Sequence, residues 1–168
     1  AMQQLTKFQS DMSDQVTQRS RTFDPTGKSN FAKDVADLTT KQKQQFLESI
    51  PTQLQPEYSA RADQVIAAVH QSAVKFQLDA ADTYTRQGLT DAYTSAQQAL
   101  DQDGSAANLD AQRTRLYAQI EASGLSTAEK QALTRQYNIG MESVSYKSEV
   151  RNGKVQLDAL GVGSSAQA

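Results

Sequence analysis

Residues capable of chemistry are few and thinly spaced. The chain has one histidine, His70, and no cysteine. Imidazole works in acid–base pairs or metal sites only alongside a second ligand or partner. His70 stands beside Val69 and Ala73 at the edge of an apolar stripe, so a structural or solvent-facing role is expected. Without cysteine there are no disulfides and no thiolate metal sites. Two aspartate pairs lie three residues apart on helical segments, Asp34 with Asp37 and Asp79 with Asp82. Such spacing could hold a cation but usually marks a solvated face. It cannot supply the two carboxylates facing each other across a cleft that glycoside cleavage needs. Pro25-Thr26-Gly27-Lys28-Ser29 ends like a phosphate-binding loop, yet the first glycine of that motif is missing and no strand signal precedes it. Tyr58, Tyr84, Tyr93, Tyr117, Tyr137 and Tyr146 all fall in helical segments, where tyrosine serves more often as a core or interface anchor than as a platform for bases. No catalytic residue, cofactor or metal is assigned, and the chain reads as non-enzymatic.

The elements that would position these residues are helices. Of the 168 residues, 38% are apolar, and many of those are alanines that bury little area. A thin core suits long helices in a narrow bundle. Pro occurs three times and Gly eight. The formal net charge is −2 with Lys and Arg scattered, so no concentrated basic surface is available to displace counterions, and no sequence-specific nucleic-acid partner is expected. No apolar run is long enough for a transmembrane segment, and no charged-then-apolar N-terminal stretch reads as a signal peptide. Ala1-Met2 reads as an artificial junction, so a piece of a longer protein is expected.

Apolar positions recur near every 3.6 residues throughout. The first helix is expected over about Gln3 to Arg19, with Leu5, Phe8, Met12 and Val16 on one face. Phe23-Asp24-Pro25-Thr26-Gly27 breaks the chain. Ser29 or Asn30 caps a second helix, whose face of Phe31, Val35, Leu38, Phe46 and Ser49 runs up to Ile50 before Pro51 stops it. Pro56 suits the first turn of a third helix. Its first stripe is Tyr58, Ala62, Val65, Val69 and Phe76. A second stripe, Leu89, Tyr93, Ala96 and Leu100, is rotated from the first by roughly 130° at ~100° per residue. Gly88 lies just before the change and could end the helix; one continuous helix is preferred, since a single Gly costs only about 1 kcal/mol. Asp103-Gly104-Ser105 is a turn. A fourth helix carries Leu109, Leu116 and Ile120, with Gly124 as its expected C′ residue. Ser126-Thr127-Ala128-Glu129 is a capping box opening a fifth helix to about Arg151. One side of it bears Leu133, Tyr137, Met141 and Val144, and another bears Ile139, Tyr146 and Val150. Asn152-Gly153 ends it.

The expectation is an all-α fold: an elongated bundle of about five helices, one or two of them long, with no sheet. One helical domain is expected over residues 1–153. Residues 154–168 would be a short helix or flexible tail, with Val155, Leu157 and Leu160 followed by Gly161-Val162-Gly163-Ser164-Ser165.

From Phe23 to about Asn152 an order of features stands out: Gly27 before Phe31-Ala32-Lys33-Asp34-Val35; the Ile50-Pro51 junction; an Ala/Gln-rich helix with Ala73-Val74-Lys75-Phe76 at its centre; the turn Asp101-Gln102-Asp103-Gly104; and Ala122-Ser123-Gly124-Leu125-Ser126 leading into Lys130-Gln131-Ala132-Leu133. This order resembles a helical region of the internal virion (ejection) proteins of tailed bacteriophages, related to those that carry a lytic transglycosylase domain elsewhere. The resemblance implies a virion component that reaches the host envelope or periplasm during DNA ejection, with any muralytic activity outside these residues.

Two helices carry more apolar surface than a peripheral helix buries on one side. Leu89, Tyr93 and Leu100 on the third helix, with Ile139, Tyr146 and Val150 on the fifth, are therefore expected to contact other copies of the chain or other virion proteins. A different reading is an extracytoplasmic helical sensor bundle that binds a small ligand.

Overall fold

The computed structural model describes residues 1–153, and among them there are helices and turns but no strand. The all-α expectation holds, with five α-helices. They are α1 (Met2–Arg21), α2 (Phe31–Glu48), α3 (Gln55–Gln102), α4 (Ala106–Ala122) and α5 (Thr127–Arg151), with one short 3-10 turn at Thr52–Leu54. The tail expected over 154–168 lies outside the described residues. The chain divides into two compact units, Ala1–Tyr84 and Thr85–Ala168.

The first unit contains α1, α2 and the first part of α3. Asn30 caps α2, its side chain accepting from the Lys33 amide at 3.0 Å. In the preceding turn Asp24 Oδ1 accepts from the Thr26 amide. Gly27 there takes φ of +93°, a left-handed value that costs other residues about 1 kcal/mol or more. Two aromatic clusters form the core. Leu5, Phe8 and Met12 of α1 pack with Phe46, Ile50, Tyr58 and Ala62. Phe31, Val35 and Ala73 form the other, with Phe23 and Phe76 against them. Phe8 stacks on Phe46 at 5.1 Å between centroids, and Phe23, Phe31 and Phe76 meet one another at tilted or edge-on angles.

The second unit contains the last part of α3 with α4 and α5. Its core is mainly aliphatic: Leu89, Ala96 and Leu100 of α3, Leu116 and Ile120 of α4, Leu125 of the connecting turn, and Tyr137 and Met141 of α5. The helix α3 runs unbroken through Gly88, where a Cβ would meet open space. Its two stripes are thereby explained: Tyr58 and Ala62 serve the first core, and Leu89, Ala96 and Leu100 serve the second.

Gly124 follows the C-cap Ser123 at the expected C′ position of α4, but without the positive φ that glycine commonly takes there. The helix stops at Ala122, and Ser123 takes extended backbone at ψ 156° with its hydroxyl donating to Ile120 O. The hydroxyl holds the orphan carbonyl that a left-handed glycine would otherwise serve. At α5 the left-handed end is present, in Gly153 with φ of +73°.

Candidate interaction surface

The residues singled out for chemistry are scattered. His70 is exposed on α3. Lys33 reaches Asp37 at 3.0 Å and Lys75 reaches Asp79 at 2.7 Å, each one helical turn away. In each pair the carboxylate's hydrogen bond holds the ammonium pKa above its ordinary value, with attraction between the charges adding to it. The Gly27-Lys28-Ser29 segment sits in the turn between α1 and α2, and Asn30 holds the first amides of α2. Among the described residues no three His, Cys, Asp or Glu side chains come together as metal ligands would.

The six residues expected to form contacts with other chains separate into two groups. Leu89 and Leu100 are buried, and Tyr93 packs against the same core. The second stripe of α3 needs no outside cover because α4 and α5 cover it. Tyr93 stacks on Tyr137 of α5 at 4.1 Å with rings 10° from parallel. A Cβ on Gly140 would lie 1.6 Å from the Tyr93 hydroxyl oxygen, so glycine at 140 makes room for that ring. Burial pushes the Tyr93 phenol pKa up, and Tyr137 adds to it. These three residues are therefore part of a core and not of a contact surface.

The other three lie on α5. Ile139 is 68% exposed and Tyr146 is 47% exposed, whereas Val150 is half-buried. The inward face of the same helix is tied down closely. Tyr137, Met141, Ser145 and Ser148 are buried along it. The Ser145 hydroxyl donates to Gly104 O at 2.6 Å and that of Ser148 to Asp101 O at 3.0 Å. Both hydroxyls bond backbone carbonyls around the α3–α4 turn: that of Asp101 is an orphan acceptor in the last turn of α3, and that of Gly104 lies in the turn itself. A Cβ at Gly104 would lie 2.5 Å from Ser145 O, so α5 and the turn meet at backbone distance. The Arg151 guanidinium also donates to both the side-chain Oδ1 and the backbone carbonyl of Asp101.

Polar links fix the flanks of α5. Arg113 of α4 donates to Asn138 Oδ1 at 2.7 Å and pairs with Glu142 at 3.3 Å. At its start, Ser126 accepts from the Glu129 amide as the capping box requires. Both carboxylate oxygens of Glu129 accept from Arg86 of α3 at 2.7 and 3.0 Å. That hydrogen bonding holds the Glu129 pKa below the ordinary carboxylate value. The serines and Gly140 carry no apolar signal and are not singled out in the sequence, and Gly104 reads there only as a turn residue. Small residues at 141 + 4 and 141 + 7 on an otherwise apolar face were the available clue. The inward face of α5 is thus held in place, and its outward face keeps an exposed isoleucine and tyrosine two turns apart.

Concave features are shallow. In the first unit, a groove of about 210 Å³ runs between α1 and α2 over the Phe8–Phe46 stack, rimmed by Gln4, Lys7, Asp11, Gln42, Gln45 and Ser49. Among the described residues no helix is long and apolar enough to cross a membrane. Compared with family models, curated proteins and solved structures, the chain finds no match.

Proposed function

We propose that this chain is a non-catalytic structural domain of a phage internal virion (ejection) protein, working by assembly with itself or with other virion proteins during genome delivery. The observation that carries the assembly part is the outer face of α5, where Ile139 and Tyr146 remain exposed on a helix whose other side is fixed into a core. Large apolar side chains left together on a rigid helix mark contact surfaces. The virion part rests on the order of sequence features from Phe23 to about Asn152. The scattered placement of His70 and the aspartates supports a role in contact over one in chemistry.

The reading is tested on particles. Peptides of this chain should be found by mass spectrometry in purified virions of the phage that encodes it, and they should leave the particle with the DNA when ejection is triggered. Their absence from intact particles would remove the virion reading.

A further inference from the structure

We propose that the outer face of α5 pairs with the same face of a second copy of this chain, antiparallel, about a two-fold axis passing at Ile139. The inference deepens the assembly reading and rests on it for its biological setting, but its test is independent.

Ala128, Ala132, Ile139, Tyr146 and Val150 lie within about 40° of one another around the helix at ~100° per residue. All are exposed except the half-buried Val150. Their spacing is symmetric, because Ala132 and Tyr146 each lie two turns from Ile139, and Ala128 and Val150 each lie three turns from it. An antiparallel pair centred on Ile139 therefore sets Tyr146 against Ala132 of the second copy, and Val150 against Ala128. Large residues meet small ones at every layer away from the centre, which is how close-packed helix seams interdigitate. A parallel pair would set tyrosine on tyrosine and leave the two alanine layers slack.

The flanks fit the same arrangement. In an antiparallel pair each flank meets its own counterpart. Exposed Arg135 then lies beside Glu142 of the second copy, twice over by symmetry. Glu142 remains 54% exposed despite its link to Arg113. On the opposite flank Gln136 lies beside Ser143, both exposed and able to hydrogen-bond. Ser145, Ser148 and the Arg113 partner Asn138 tie the other sides of α5 to its neighbours, so little order has to be gained on association.

The test uses the full 168-residue chain, which has no cysteine of its own. Sedimentation over a concentration series should show a monomer–dimer equilibrium. Ile139→Asp should weaken it by about 10- to 100-fold, the loss expected for a buried isoleucine, with helix content by circular dichroism unchanged. For orientation, Gln136→Cys and Ser143→Cys chains are mixed and oxidised. The antiparallel pair gives the mixed disulfide, read by mass. A chain that stays monomeric up to roughly millimolar concentration, or that gives like-with-like disulfides, overturns the proposal. The virion reading would be untouched by that failure, since particle content tests it separately.

Discussion

The two units solve the problem of a thin core in different ways. The first fills it with rings: Phe8, Phe46 and Tyr58 in one cluster, Phe23, Phe31 and Phe76 in the other. An aromatic ring reaches far from its backbone, so a few rings fill the space between the helices. The second brings backbones together. Gly104 and Gly140 remove Cβ atoms where α5 meets the α3–α4 turn and the Tyr93 ring, and two serines fasten α5 to main-chain carbonyls. The aromatic unit should be sensitive to lost volume, and the close-approach unit to added volume.

The largest effect should come from removing a ring. Phe31 is 3% exposed and touches both Phe23 and Phe76. Phe31→Ala should cost about 3–4 kcal/mol, read by chemical denaturation. Hydrogen exchange should rise in α1 and α2, and the amides of α4 and α5 should keep their protection. Equal loss in both units would break the contrast.

Adding one methyl should be the comparable injury to the second unit. Gly104→Ala pushes a Cβ against Ser145 O and the Ser148 side chain. A backbone atom cannot swing aside as a side chain does, so α5 has to move. The expected cost is about 2 kcal/mol, with faster exchange in α5. Gly27→Ala in the first unit meets no neighbouring atom and strains only its own φ, so its cost should stay near 1 kcal/mol. If the two glycines prove equivalent, close approach is not what holds α5.

The smallest effect sharpens one link. Arg86 lowers the Glu129 pKa from an ordinary 4.5. A carboxylate lowered on folding contributes stability above its unfolded value, and that contribution is lost as pH falls through the folded value. Arg86→Ala should return the Glu129 midpoint to the ordinary range in a side-chain carboxyl titration by NMR. The pH dependence of stability below about pH 4.5 should flatten with it. An unmoved midpoint would mean that the pair seen between α3 and α5 is not formed in solution.

Much of this was legible in sequence, and the limit is physical. Periodicity located the five helices and their inward faces, from Leu5, Phe8 and Met12 to Tyr137 and Met141. Asn30 and Ser126 announced two helix starts because a short side-chain acceptor has few other uses there. Periodicity also found the second stripe of α3, but it reports that a face is apolar and not what covers it. Leu89 and Leu100 consequently read as surface for another chain when α4 and α5 bury them. Ser145 and Ser148 were invisible for the opposite reason: a hydroxyl reads as solvated until its acceptor, here a carbonyl 41 or 47 residues away, is known. Glu129 carried a local pattern that assigned its carboxylate to Ser126, and a long-range partner, Arg86, holds it.

The chain has no tryptophan, so its near-ultraviolet optical signal comes from tyrosine, with weak structure from phenylalanine. Tyr93 and Tyr137 are the one pair of stacked tyrosines among the described residues. They belong to α3 and α5 of the second unit, and stacked chromophores at 4.1 Å couple strongly. Fixed aromatic packing is what near-ultraviolet circular dichroism detects. The stack therefore gives this unit an internal spectroscopic probe of α5 docking, with no label attached, read above the signal of the single buried tyrosine of the first core, Tyr58.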